Sequence, residues 1–215
     1  MPLITADQLT PLWGMVSVVP DTTSAAGEDT SRGGGGIRVG QYSILWTGTL
    51  RLAGSELLRR RRVDVLLQQL RQPGYHFELA FPDYRPGRYP DGLPSGGTGP
   101  ILAGVGAGGN SITINGLPSG YNLEQGDYLS WIVGERYAFH AVTQLTAAGP
   151  GGAATVGVYP PVTFRTNSPG APIELTMPKM RARYTGGGYE PGAHGVNSAA
   201  ESDVEWVQVG NPAVG

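Results

Sequence analysis

Between Asn110 and Pro160 the chain carries four short runs rich in β-branched and aromatic residues. They read Ser111-Ile-Thr-Ile-Asn115, Tyr128-Leu-Ser-Trp-Ile-Val133, Arg136-Tyr-Ala-Phe-His-Ala-Val142 and Ala154-Thr-Val-Gly-Val-Tyr159. Turns of Gly, Pro, Asn and Asp separate them, which is the spacing of consecutive antiparallel strands in a small barrel or sandwich. In the first run Ile112 and Ile114 alternate with Thr113 and Asn115, so one face is apolar and the other polar. In the third, Tyr137, Phe139 and Ala141 alternate with Ala138 and His140. The remaining segments read as a framework wrapped before and after this module.

A chain of 215 residues can hold one large all-β domain or two small ones. Its 35 glycines are about twice the average usage, which suits many tight turns better than long helices. A net charge of −2 argues against a general nucleic-acid binder. No run of about 20 apolar residues is present, so no membrane segment is expected. The start, Met-Pro-Leu-Ile-Thr, lacks the regions of a signal peptide. The absence of cysteine rules out disulfides and thiolate chemistry, and fits assembly in a reducing cytoplasm. Lys179 is the one lysine among the 15 basic residues. A GC-rich genome accounts for that bias, as does selection of the multidentate guanidinium at permanent subunit contacts.

Taken in order, Leu12 to Val19 is a short apolar run with strand character, and Asp21 to Gly36 is too polar and glycine-rich to bury itself, so it reads as a loop. Gln41 to Leu52 alternates as a strand. Glu56 to Gln72 places Val63, Leu66, Leu67 and Leu70 on one helical stripe, closed by Pro73-Gly74. Arg59, Arg60, Arg61 and Arg62 fall in the first half of that helix and spread over about 300° around it, so they cannot all face a core. Tyr75 to Phe81 returns as a strand. Residues 82–100 and Gly186 to Ala200 read as loops, Ile173 to Tyr184 as two strand pieces broken at Pro178, and Asp203 to Val209 as a final strand. This divides the chain into a framework at 1–99 and 166–215, with a helix near 56–72, and a module at 100–165.

Chemical signals are weak. Gly104-Val-Gly106-Ala-Gly-Gly109 matches a dinucleotide-loop pattern but opens a strand, whereas the pyrophosphate needs a helix N-terminus. His76, His140 and His194 are far apart and lack metal-ligand spacing. Asp83, Asp91 and Asp127 each stand beside Pro or Gly, where aspartate caps turns. A pair of carboxylates meeting only in space stays open on sequence grounds. No catalytic residue, cofactor or metal is expected.

The order of pieces carries more. A Trp-bearing strand, Trp46-Thr-Gly-Thr-Leu-Arg-Leu52, precedes a helix ending Gln-Gln-Leu-Arg and the segment Tyr75-His-Phe-Glu-Leu-Ala-Phe-Pro-Asp-Tyr84. Then come Asn110-Ser-Ile-Thr-Ile-Asn-Gly-Leu-Pro118, Leu123-Glu-Gln-Gly-Asp-Tyr-Leu129, Tyr137-Ala-Phe-His-Ala-Val-Thr-Gln-Leu145, a Gly-rich turn into Ala154-Thr-Val-Gly-Val-Tyr-Pro-Pro161, and Glu205-Trp206. Over most of residues 40–209 this succession resembles the distal-tail type of minor tail proteins of long-tailed bacteriophages. The resemblance implies a mainly β chain: a β-sandwich framework with one amphipathic helix, carrying a second small antiparallel β-barrel. It also implies a virion protein without catalytic residues. Its copies would form a ring, usually a hexamer, between the tail tube protein and the tail-tip hub or receptor-binding apparatus, assembled in the host cytoplasm. The run Arg59 to Arg62 departs from the family's more mixed composition there; set against acidic groups of a neighbouring copy, it is the candidate subunit interface. A carbohydrate-binding β-sandwich is the competing reading, with Trp131, Tyr121 and Tyr189 as rings to stack on sugars.

Overall fold

The computed structural model describes residues 3–5, 21–23, 26–30, 36–40, 45–53, 65–72, 74–80, 86, 97–163, 166–186 and 201–209. Over these the protein is mainly β, with several sheets and one short helix, α1, at 65–70. It divides into two compact units, Met1–Phe77 with Ala182–Gly215, and Glu78–Arg181.

The first unit is organised by a long antiparallel pair, β5 (Leu45–Ala53) with β16 (Glu201–Gln208). Seven residue pairs run from Glu201 opposite Ala53 to Val207 opposite Thr47, so the end of the chain is a structural partner of its first quarter. The six-stranded sheet has the order β1-β6-β15-β16-β5-β2, where β1 is Leu3–Ile4, β2 Asp21–Thr23, β6 His76–Ala80 and β15 Lys179–Tyr184. Trp46, Phe77, Ala182, Val204 and Trp206 are buried. On α1, Leu67 and Leu70 are buried while Val65 is 56% exposed, as the stripe requires. The helix ends with the Arg71 N–H on the Leu67 carbonyl, 3.0 Å away.

Asp21 to Gly36 is not a loop throughout. Asp21–Thr23 pairs with Thr47 to Leu45, and β3 (Ala26–Thr30) pairs with β4 (Gly36–Gly40) as a two-stranded ribbon. A polar, glycine-rich stretch buries few side chains, but ladder hydrogen bonding of the backbone makes these strands. Leu12 to Val19, Val63 and residues 187–200 lie outside the described residues, as does most of 82–96.

The second unit has the order β14-β10-β11-β13-β8-β7. Its strands are β7 (Ile101–Val105), β8 (Ser111–Asn115), β10 (Tyr128–Val133), β11 (Arg136–Val142), β13 (Ala154–Tyr159) and β14 (Ile173–Glu174). A small pair, β9 (Asn122–Leu123) with β12 (Thr146–Ala147), lies between them in sequence. Ile173 and Glu174 pair with Trp131 and Ser130, so this sheet draws in residues beyond 165. The four runs read from the sequence are β8, β10, β11 and β13, and Ile112, Ile114, Leu129, Trp131, Val156 and Val158 meet in one core.

Among the described residues strand pairing closes none of the sheets into a barrel. The two edges of the second sheet are nevertheless joined by a backbone seam. Leu102 N–H donates to Ala171 O at 2.9 Å, Gly170 N–H to Leu102 O at 2.7 Å and Ile173 N–H to Pro100 O at 2.8 Å. Ile101 bridges Pro172 beside them.

Gly104 to Gly109 ends β7 and enters a 3-10 turn, Ala107–Gly109, before β8. Gly109 has φ +75°, and a Cβ there would strike the carbonyl of Val162, whose N–H donates to Gly109 O at 2.8 Å. Gly120 has a similar φ, +73°, with open space around it. Gly109→Ala is therefore expected to cost about 2 kcal/mol or more, and Gly120→Ala about 1 kcal/mol. Urea denaturation of the two variants checks the difference; equal losses would remove the contact at Gly109 from the account.

Candidate functional site

The densest polar arrangement in the second unit starts with the β10–β11 hairpin. A two-residue turn, Gly134-Glu135, sets the register: Val133 faces Arg136, Trp131 faces Ala138 and Leu129 faces His140. Trp131 and His140 are thus diagonal neighbours on one sheet face. Their rings stack at 4.8 Å and 14°. Both are buried among Leu129, Ala138 and Val142.

Each ring donates to a carbonyl of the segment after β13. Trp131 Nε1–H reaches Thr166 O at 2.7 Å, and His140 Nδ1 lies 2.6 Å from Pro160 O. A carbonyl only accepts, so His140 carries its proton on Nδ1 and its Nε2 is a bare lone pair. That Nε2 is buried with no hydrogen-bond partner. Burial pushes the imidazole down to about 4, against the smaller upward pull of the Pro160 carbonyl, so the ring is neutral at pH 7.

The opposite face of the hairpin is polar in a different way. Tyr137 OH donates to Glu78 Oε1 at 3.1 Å. Burial, then the Glu78 charge and hydrogen bond, push the phenol up to about 12 against the Arg181 charge. A phenol so raised keeps its proton and serves as a donor, not a base. Ser130 Oγ accepts the Lys179 N–H at 2.9 Å, and Phe139 is buried against Tyr128 at 5.3 Å. Burial raises the Tyr128 phenol as well. At Glu174, burial acts upward, but the Thr176 hydroxyl, the Met177 and Thr176 N–H groups and the Lys179 charge outweigh it and hold the carboxyl low. The three hydrogen bonds on Glu174 Oε1 are 2.6, 2.8 and 3.0 Å long, so this carboxylate caps its own turn.

Among the residues singled out from the sequence, Arg59, Arg60, Arg61 and Arg62 lie outside the described residues, as do Asp83, Asp91, Tyr189 and His194. Asp127 is buried and accepts the Glu124 N–H at 2.9 Å, the turn role its neighbouring glycine suggests. Trp131 and Tyr121 are each 1% exposed and offer no ring face to a sugar. Among the described residues no three His, Asp or Glu side chains converge in a way that holds a metal ion. No described helix is long and apolar enough to cross a membrane. The Trp131–His140 pair escaped sequence reasoning, although the two-residue turn between β10 and β11 contains the register that joins them.

Compared with known proteins, the chain matches no protein-family model, and no curated protein is significantly similar to it.

Trp206 is the control for Trp131. Both are 1% exposed, but Trp206 Nε1 has no hydrogen-bond partner. Replacing either with Phe removes similar apolar area; only Trp131→Phe strands the Thr166 carbonyl. The Trp131 variant is expected to lose about 1–2 kcal/mol more stability than the Trp206 variant. Equal losses in urea denaturation would show that the Trp131 hydrogen bond adds nothing net.

Proposed function

We propose that this chain is a structural protein of a long-tailed phage virion, of the distal-tail type. Its copies form a ring, hexameric in the family it resembles, between the tail tube and the tail tip or receptor-binding apparatus. Its partners are then itself, the tail tube protein and the tail-tip hub proteins, and its place is the tail. In finer architecture the first unit is a β-sandwich, and the second is a small barrel whose closing contact is the backbone seam at 100–102 and 170–173. No catalytic residue, cofactor or metal enters this reading.

The observation that carries it is the nested topology. Glu201–Gln208 pairs with Leu45–Ala53, so the unit at Glu78–Arg181 is inserted within the chain of the other. A helix-bearing β framework that carries a second β unit is the arrangement the resemblance implies. The order of segments over residues 40–209 supports the same reading. The competing sugar-binding reading loses Trp131 and Tyr121, which are core residues.

Native mass spectrometry of the full chain tests the proposal. One closed oligomer is expected at micromolar concentration; a monomer at every concentration would overturn it. Replacing Arg59, Arg60, Arg61 and Arg62 together with Gln should leave the fold intact and weaken the ring at least about tenfold, if these side chains make charge-assisted bonds across the interface. The variant's assembly should also lose most of its salt dependence. An unchanged oligomer mass and salt response would place the four arginines on a solvated face.

A further inference from the structure

Among the described residues, the segment from Pro160 to Ile173 is fastened at both ends. At its start, His140 Nδ1–H and Trp131 Nε1–H hold the carbonyls of Pro160 and Thr166. Between these, Val162 N–H donates to Gly109 O at 2.8 Å. At its end, residues 170–173 form the seam with Pro100 and Leu102. It therefore acts as a strap across the two edges of one sheet, and the stacked ring pair is its first fastening.

We propose that this strap is a proton-operated latch, closed while His140 is neutral and released when Nε2 takes up a proton. The reason is geometric. In the closed state Nε2 is buried without an acceptor, and a proton added there would be a donor, on a charged ring, with nothing to donate to. Among the described residues no carboxylate is hydrogen-bonded to Nε2 to offset that charge. Leu129, Trp131, Ala138 and Val142 share the ring's sheet face, and β7, β8 and β13 bring Leu102, Ile112, Ile114, Val156 and Val158 to the same core. Tyr121 is buried in that core as well. Asp127, buried just before β10, accepts the Glu124 N–H. The Pro160 carbonyl accepts from Nδ1 in either protonation state, so it does not serve Nε2. Leaving the core is the ring's route to hydration, and it breaks the Pro160 bond and the Trp131 stack together.

An exposed imidazole titrates near its ordinary 6.5, and the closed one only near about 4. The open state therefore binds the proton first as pH falls, and the latch is strongest above 6.5. Each pH unit between those values weakens closure about tenfold, roughly 300-fold in all, and below about 4 the effect levels off.

Hydrogen exchange of the full chain at pH 7 and pH 5, corrected for intrinsic rates, tests the latch. The amides of Val162, Leu102 and Ile173 are expected to lose about 30-fold in protection at pH 5. The β8–β13 amides should hold theirs. In His140→Asn, whose amide keeps a donor near the Nδ1 position and does not titrate, strap protection should be independent of pH over this range. The latch is overturned by unchanged strap protection in the natural protein. It is equally overturned if strap and β8–β13 amides fall together, which makes His140 an ordinary core residue, or if the Asn variant keeps the full pH response. Should that variant fail to fold, the two measurements on the natural protein decide alone.

Discussion

A β-sheet leaves a row of backbone donors and acceptors at each edge, and the second unit is arranged around satisfying them. Its first strand, Ile101–Val105, and its last, Ile173–Glu174, are far apart in the ladder yet are brought together by the seam at 100–102 and 170–173. The seam uses irregular backbone, not a further long strand. That is why Pro172 can sit in it: proline has no N–H to contribute, and its neighbours Ala171 and Ile173 make the bonds. Chain segments that are neither strand nor turn thus carry an edge-covering role.

Irregular backbone needs its own anchors. Trp131, His140 and Ser130 each bond to backbone outside the regular β10–β11 ladder, and Tyr137 reaches the Glu78 carboxylate. Trp131, Ser130 and His140 are buried, and buried polar groups cannot be left unpaired without cost. Trp131 and His140 thereby position the residues after β13.

Much of this was legible in the sequence, and the misses have a common cause. Period-two alternation located Ser111 to Asn115, and the turn residues located the hairpins around it. The apolar stripe predicted the burial of Leu67 and Leu70 in α1. Asp21 to Gly36 reads as a loop, yet a polar, glycine-rich stretch can still be ordered by pairing, as Asp21–Thr23 is against Leu45 to Thr47. Trp131 reads as a ring available to ligands because composition does not say that its side of the strand faces the core. Pairing of distant segments decides these cases, and a single sequence carries little record of it. The arginine run at 59–62, the candidate subunit interface, lies outside the described residues.

The choice of histidine at 140 follows from two demands that no smaller residue meets together. The position must donate to the Pro160 carbonyl, which asparagine also does, and it must cover the Trp131 indole, which needs a flat ring. Phenylalanine would supply the ring and leave Pro160 O without that donor. Imidazole supplies both, and its second nitrogen comes with them. That nitrogen finds no partner among the apolar side chains of the core. The unsatisfied Nε2 is thus a by-product of packing an aromatic donor in an apolar interior. The same by-product makes the closed state intolerant of a proton, so a feature needed for stacking also sets the acid sensitivity of the segment it holds.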